Sequence, residues 1–160
     1  MREPVIAAIA LGANLGAAAQ QVRGAMQSLG TLAEVSTIAE SGLYSSPAFQ
    51  SHGPDYVNAV MLVNTTLTAP ALWQAMCGIE AQFGRERPYR WAPRTLDLDL
   101  IFYGSAHLSG PHLTVPHPRW TERAFVVVPL TEIAPHLVPQ EVAAAVIGQP
   151  IERLMAQASS

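Results

Sequence analysis

The apolar residues of this 160-residue chain change their spacing along the sequence in an order that restricts the possible folds. Four apolar runs are continuous or alternate with polar residues, as in β-strands: 5–11, 35–44, 56–67 and 96–103. Two other segments repeat apolar residues at helical spacing and end at Gly30 and at Gly84. The pattern therefore predicts the order strand, helix, strand, strand, helix, strand.

Two strand–helix–strand halves favour an α+β fold class with a ferredoxin-like core, in which a mainly antiparallel sheet carries helices on one face. Residues 124–133 are expected to add one more helix. No repeat, low-complexity tract or flexible linker divides the sequence, so we expect a single domain over 1–160.

The composition restricts where the chain works. Every apolar run is shorter than the ~20 residues that cross a bilayer, and no basic segment precedes a signal-like core. We therefore expect a cytoplasmic protein without a membrane partner. Cys77 is the one cysteine, so the chain cannot form an intramolecular disulfide or a cysteine-based zinc site by itself.

Positive charge is concentrated in one stretch, although the net charge is -3. All nine cations are arginines, and four lie within ten residues: Arg85, Arg87, Arg90 and Arg94. Arginine presents a rigid fork of donors that matches phosphate oxygens. Surface ion pairs with Glu80 and Glu86 are the alternative, and such pairs would add little stability. We expect no nucleic-acid partner, because the domain is acidic overall and offers no further basic stripe.

Asp97 and Asp99 follow the arginine cluster within an apolar strand pattern. Residues two apart in a strand point to the same face, so both carboxylates would project together while the intervening leucines pack the other way. Magnesium prefers one or two carboxylates together with water and substrate phosphates. A solvated sheet face is the alternative, but the neighbouring arginines favour a site for a nucleoside triphosphate.

Several aromatic residues accompany these charges. Trp91 lies inside the arginine cluster, where an exposed ring needs a ligand or a lid surface to cover it, unless it anchors the loop to the body of the protein. Tyr56 and Phe125 would ordinarily be core aromatics. Asn58 shares a strand face with Tyr56, and its amide supplies a donor and an acceptor, which the edge of a stacked heterocycle requires.

The segment 90–101, RWAPRTLDLDLI, closely resembles the signature of the 6-hydroxymethyl-7,8-dihydropterin pyrophosphokinase family of folate synthesis. Further matches extend over nearly the whole chain: 10–15, 56–59, Ile79-Glu80 with Gly84-Arg85, and 115–118 with Arg123 and Phe125. The resemblance implies a ferredoxin-like monomer with functional loops around an ATP/pterin cleft. It also implies that pyrophosphate is transferred from ATP to the pterin hydroxymethyl oxygen and that AMP is released.

The resemblance further implies roles for individual residues. Asp97 and Asp99 would hold two magnesium ions and, with Arg85 and Arg94, form the catalytic set. The implied ATP contacts are Glu80, Arg87, Arg90, Trp91, Arg94, Leu100, Thr114, His117 and Arg123. The implied pterin contacts are Ser46, Pro47, Phe49, Tyr56, Asn58, Trp91, Asp97 and Phe125.

Some positions depart from the family pattern. Ser46 stands where threonine is frequent, Cys77 where a glutamine can reach the nucleotide, and Pro118 where tyrosine often follows the histidine. None of these changes removes a carboxylate. A non-catalytic ferredoxin-like ligand-binding module is the alternative function, because a fold alone does not fix an activity.

Overall fold

The computed structural model describes residues 3–14, 17–47, 54–83 and 96–154. The strands are β1 Val5–Ala13, β2 Val35–Glu40, β3 Tyr44–Ser46, β4 Tyr56–Thr65, β5 Asp97–Tyr103, β6 Leu108–Ser109, β7 Thr114–Val115 and β8 Glu152–Arg153. The helices are α1 Ala18–Gly30, α2 Ala69–Phe83, α3 Ala124–Ile133 and α4 Gln140–Ala145. Within these ranges, no helix combines the length and the apolar character that spanning a bilayer requires.

The strands form one main antiparallel sheet with β1 near its centre. The strand order is β5-β1-β4-β3-β8, β2 also pairs with β4, and β6 pairs with β7 in a separate two-stranded ribbon. β1 is buried over residues 7–11, because α-helices cover parts of both its faces. A continuous apolar run is typical of a strand covered on both sides. The mixed architecture with an antiparallel sheet confirms the α+β prediction.

Successive residues of β1 point into two separate cores. Ile9 and Leu11 join the side chains of α1 and α2 on one face, while Ala8 and Ala10 join those of α3 on the other. The expected packing of helices on one face therefore holds for α1 and α2, but α3 covers the opposite face. α3 has the predicted bounds, yet its side of the sheet could not be read from its own apolar pattern.

The strand predicted over 35–44 is divided in two. β2 ends at Glu40 and β3 begins at Tyr44. Between them the Ser41 hydroxyl oxygen accepts a hydrogen bond from the backbone N–H of Val60 at 2.9 Å, so a side chain replaces part of the ladder. The interruption redirects the chain, and β3 then pairs with the other half of β4, where it brings Ser46 opposite Tyr56.

The Glu132 carboxylate of α3 forms hydrogen bonds to the chain between β2 and β3 and to the first residue of β3. Glu132 accepts hydrogen bonds from the Gly42 N–H at 3.0 Å and from the Tyr44 hydroxyl at 2.7 Å. The Arg153 guanidinium lies 3.4 Å from the same carboxylate. Burial, the hydrogen bond to Glu132 and the negative charge of Glu132 raise the pKa of Tyr44 to about 12.

This network predicts a specific loss of stability at alkaline pH. Folding favours the neutral phenol of Tyr44, so the stabilisation is complete below pH 10, its ordinary pKa, and is lost as the pH rises towards 12. Urea unfolding of the wild type and of Tyr44→Phe should be compared from roughly pH 9 to pH 11. The free energy of unfolding should fall more steeply in the wild type, by up to about 1.4 kcal/mol per pH unit. Equal slopes in the two proteins would contradict this account of Tyr44.

Candidate active site

A cleft of about 830 Å³ opens at the end of the sheet that α3 leaves uncovered. Its lining comes from seven parts of the chain: 10–12 of β1, 46–47 at the end of β3, 56–58 of β4, 73–80 of α2, 97–99 of β5, and the segments 119–125 and 149–150. Nine of the predicted site residues are among its lining: Ser46, Pro47, Tyr56, Asn58, Glu80, Asp97, Asp99, Arg123 and Phe125. Residues far apart in sequence therefore meet in one cavity.

Asp97 and Asp99 lie on the same face of β5 and both line the cleft. Leu98 and Leu100, which alternate with them, are buried in the core beneath α1 and α2. The alternation that the sequence predicted is therefore present, and the apolar members fix the direction of the acidic ones. Burying Leu98 and Leu100 obliges the two carboxylates to face the cleft.

Gly12 lies between the acidic and the amide sides of the site. It is opposite Asp97 in the β1–β5 pair and opposite Asn58 in the β1–β4 pair. A Cβ atom at Gly12 would lie only 3.2 Å from the Asn58 amide oxygen. Glycine therefore keeps the floor of the cleft open between the carboxylate and the amide.

The Asn58 side chain is held in one orientation. It is 3% exposed, and its Nδ2 donates a hydrogen bond to the Ser46 hydroxyl at 2.8 Å. The serine thereby holds the amide nitrogen on the β3 side, and the amide oxygen lies towards Gly12. A fixed amide of this kind presents a donor and an acceptor in a defined direction.

Tyr56 completes this wall next to Asp97. Burial, followed by the negative charge of Asp97, raises the pKa of the Tyr56 phenol above its ordinary value. The hydroxyl therefore stays protonated through the neutral range. A neutral phenol beside a carboxylate presents a flat ring without adding a second negative charge to the site.

The segment 119–125 forms the facing wall. The Arg123 guanidinium carbon lies 5.5 Å from the centre of the Phe125 ring, within the range of a cation–π contact. Arg119 also lines the cleft and was not among the predicted site residues. The two arginines are four residues apart, a spacing that offered no distinctive signal beside the denser cluster upstream.

His117 lies beside both the acidic and the basic groups. Burial lowers its pKa, the carboxylate of Asp99 opposes that change, and Arg123 and Arg119 lower the pKa further. Its Nδ1 accepts a hydrogen bond from the Arg119 backbone N–H at 3.1 Å, so this nitrogen carries no proton. In the neutral imidazole the proton is then on Nε2, which can donate to an anionic ligand.

A smaller cleft of about 270 Å³ adjoins the first and shares Trp73, Leu98 and Asp99 with it. The predicted residues Leu100, Thr114 and His117 line it. The Trp73 indole stacks with the His112 ring at a centroid distance of 6.1 Å and an interplanar angle of 20°. Trp73 was missed by the sequence analysis, although it precedes Cys77 and Glu80 at helical spacing along one face of α2.

Glu80 has a structural contact at the free edge of β5. Its Oε2 accepts a hydrogen bond from the Leu98 backbone N–H at 2.7 Å. β5 pairs only with β1 among the described strands, so this donor has no ladder partner on its outer side. The glutamate therefore helps to fix the strand that carries both aspartates, in addition to lining the cleft.

Six predicted site residues lie outside the described part of the chain: Phe49, Arg85, Arg87, Arg90, Trp91 and Arg94. Within the described part, no group of three or more His, Cys, Asp or Glu side chains is arranged to hold a metal ion. The acidic pair at Asp97 and Asp99 supplies hard oxygen donors but needs further ligands. A divalent cation that takes its remaining ligands from water and phosphate oxygens fits this donor set.

The contact between Tyr56 and Asp97 can be tested by titration. Asp97→Asn removes the negative charge and should lower the pKa of Tyr56 towards 10.0, while burial keeps it above that value. Asp99→Asn is the matched control and should leave this pKa unchanged. The measurement is the pH dependence of the Tyr56 Cζ chemical shift, assigned with Tyr56→Phe. A Tyr56 pKa that does not respond to Asp97→Asn would show that the two groups do not interact.

Comparison with known families places most of the chain in a single match. The family model described as 7,8-dihydro-6-hydroxymethylpterin-pyrophosphokinase (HPPK) matches residues 8–135. The matched range includes all of the predicted site residues. It ends before α4 and β8, so the segment that carries Gln149 and Pro150 lies outside it.

Curated relatives carry the name 2-amino-4-hydroxy-6-hydroxymethyldihydropteridine pyrophosphokinase. The protein of Synechocystis sp. is 44% identical over 129 residues, which cover 81% of this chain and 66% of the relative. The protein of Pseudomonas aeruginosa is 41% identical over 130 residues, covering 81% of this chain and 80% of the relative. The protein of Haemophilus influenzae is 40% identical over 135 residues, covering 84% of each.

Solved structures share the fold at low sequence identity. A crystal structure of wild-type Plasmodium falciparum HPPK-DHPS with pterin and p-hydroxybenzoate superimposes with a TM-score of 0.64 at 13% identity. A crystal structure of HPPK-DHPS in complex with substrates gives a TM-score of 0.61 at 12% identity. This chain spans only 40% of the length of either solved chain. The likeness therefore concerns the fold of one portion of those proteins.

Proposed function

Because this chain belongs to the 7,8-dihydro-6-hydroxymethylpterin-pyrophosphokinase family, we propose that it transfers a pyrophosphoryl group from ATP to the hydroxymethyl group of 6-hydroxymethyl-7,8-dihydropterin. AMP and the pterin diphosphate are the products. The observation that carries the proposal is the placement of Asp97 and Asp99 on one sheet face, inside the cleft that Asn58, Tyr56 and Phe125 also line. The two carboxylates that would bind the cations of the triphosphate and the side chains that would bind the pterin ring thus line one cavity.

The pterin occupies the wall formed by β3, β4 and the start of α3. Tyr56 and Phe125 supply flat surfaces for the ring, and Asn58 meets its polar edge with the amide group that Ser46 orients. Pro47 lines the same part of the cleft. The cleft volume of about 830 Å³ lies within the usual range for a ligand pocket.

The triphosphate lies over β5 and the basic segment that follows β7. Asp97 and Asp99 would hold two magnesium ions, which neutralise charge on the phosphate oxygens when bound. Arg123 and Arg119 supply positive charge from the facing wall, and His117 donates from Nε2. Phosphoryl-type transfer depends chiefly on alignment and on stabilisation of developing charge, which are the contributions that these side chains can make.

The remaining ATP contacts combine described and undescribed residues. Leu100 and Thr114 contact the adenine from the smaller cleft that they line. Arg85, Arg87, Arg90, Trp91 and Arg94 contact the nucleotide or close over it, a proposal that rests on family resemblance alone. Phe49 contacts the pterin on the same grounds. We also propose that the chain acts as a single-domain cytoplasmic monomer.

The direct test is the identity of the nucleotide product. Protein, ATP, magnesium and 6-hydroxymethyl-7,8-dihydropterin should yield AMP and the pterin diphosphate in equal amounts. Release of ADP would make the protein an ordinary kinase, and binding without turnover would make it the non-catalytic module. Asp97→Asn together with Asp99→Asn should lower kcat by more than about 100-fold, because the cations that would neutralise the phosphate charge lose their carboxylate ligands. Glu141→Gln, a surface carboxylate exchange on α4, should leave kcat unchanged.

Gly12→Ala tests the open floor between the two substrates. The added Cβ atom would lie 3.2 Å from the Asn58 amide oxygen and would push the amide out of its orientation. The Kd for the pterin, measured by calorimetry with a non-hydrolysable ATP analogue, should rise about tenfold, as expected for a crowding cost of about 1.4 kcal/mol. Gly78→Ala is the control, because a Cβ atom there meets nothing within 4 Å. An unchanged pterin Kd in Gly12→Ala would remove Asn58 from the proposed pterin contacts.

A further inference from the structure

Gln149 joins the C-terminal segment to the wall that carries Arg123 and Phe125. Its Oε1 accepts a hydrogen bond from the Ala124 backbone N–H at 2.9 Å, and its Nε2 donates to the Glu122 carbonyl oxygen at 2.7 Å. One amide therefore bonds the backbone on both sides of Arg123. Only one orientation of this amide satisfies both partners, because one is a donor and the other an acceptor.

The backbone around Arg123 needs such support. A 3-10 helix ends at Glu122 and α3 begins at Ala124, so Arg123 is an extended residue between two helical segments, with φ -119° and ψ 108°. The Arg123 side chain makes no capping hydrogen bond to α3. Ala124 is only 2% exposed, and a buried N–H without a partner is costly. Gln149 supplies the cap from 25 residues away.

The capped turn carries two side chains of the cleft. Arg123 precedes Ala124 and Phe125 follows it, and the guanidinium lies 5.5 Å from the ring centre. The positions of both side chains depend on the orientation of the first turn of α3 relative to the extended backbone of Arg123. Gln149 and Pro150 line the same cleft, so the two hydrogen bonds of the Gln149 amide lie at the edge of the site itself.

Gln149 is itself held at both ends. Its N–H donates to the Val146 carbonyl oxygen at 3.0 Å, and Val146 is buried in the core beneath α3. After Pro150 the chain enters β8, which pairs with β3, and the Leu154 N–H donates to the Leu43 carbonyl oxygen at 2.8 Å. The C-terminal segment thus connects β3, which carries Ser46, with the turn that carries Arg123.

We propose that Gln149 is a positioning residue for the reaction. It holds the first turn of α3 so that Phe125 meets the pterin and Arg123 meets the triphosphate. This role rests on the proposed function and lies outside the residues that the family model matches. The C-terminal segment is accordingly part of the active site, although it supplies no group that reacts.

The test compares Gln149→Met with Gln149→Glu by steady-state kinetics and by pterin calorimetry. Methionine has nearly the same length and forms neither hydrogen bond, so kcat/KM should fall about tenfold or more, and the pterin Kd should rise. Glutamate keeps the acceptor for the Ala124 N–H, so kcat/KM should fall less in Gln149→Glu than in Gln149→Met. A role in stability alone predicts a lower unfolding temperature with unchanged kcat/KM and an unchanged pterin Kd.

Two controls separate positioning from general destabilisation. Gln140→Met makes the same exchange at an exposed site on α4 and should leave both measurements at the wild-type value. Thr68→Ala removes a hydroxyl that accepts the Ala71 N–H of α2 at 3.2 Å, so it weakens a helix start elsewhere. It should lower the unfolding temperature without changing kcat/KM.

The outcomes distinguish this proposal from the one on which it rests. If the wild type releases no AMP, the proposed function is wrong, and the role of Gln149 in that reaction falls with it. If the wild type turns over and Gln149→Met keeps kcat/KM within about twofold, the positioning role alone is overturned. Should Gln149→Met fail to fold, the result for Gln149→Glu decides, and wild-type kcat/KM in that variant overturns the proposal.

Discussion

The pairing of β1 with both β4 and β5 is the constraint on which the site depends. It places Asp97, Gly12 and Asn58 in one row across three strands, with the glycine between the carboxylate and the amide. A shift of one residue in the β1–β5 register would turn the two aspartates into the core beneath α1 and α2. Burying an unpaired carboxylate there would cost a large free energy, whereas burying a leucine side chain is favourable. The same pairing that completes the core therefore sets out the site.

The site exists because one face of the sheet is covered only in part. α1 and α2 close the first face, and the small residues Ala8 and Ala10 allow α3 to pack closely on the second. Beyond the start of α3 the second face stays open, and the polar residues of β4 and β5 line that opening. In β4 and in β5, the polar end that lines the cleft continues into an apolar end that is buried in the core. The buried ends hold the floor of the cleft in place.

The C-terminal segment unites the walls of this cleft. Gln149 bonds the turn before α3, while β8 lies beside β3 and Arg153 approaches Glu132. Glu132 in turn accepts hydrogen bonds from Gly42, just before β3, and from Tyr44, the first residue of that strand. Hydrogen bonds between distant segments therefore position the side chains on either side of the cleft.

The sequence by itself determined the order of the core elements, the shared face of Asp97 and Asp99, and, through family resemblance, nine described residues of the main cleft. These follow from local periodicity and from a contiguous motif. Only the tertiary structure decided that α3 covers the second face, that a break separates β2 from β3, and that Trp73, Arg119 and Gln149 reach the cleft. Each of these depends on contacts between segments far apart in the chain, such as the 90 residues between Gly42 and Glu132. Such contacts leave no periodic signal, because they are fixed by how the layers pack and not by the neighbours along the chain.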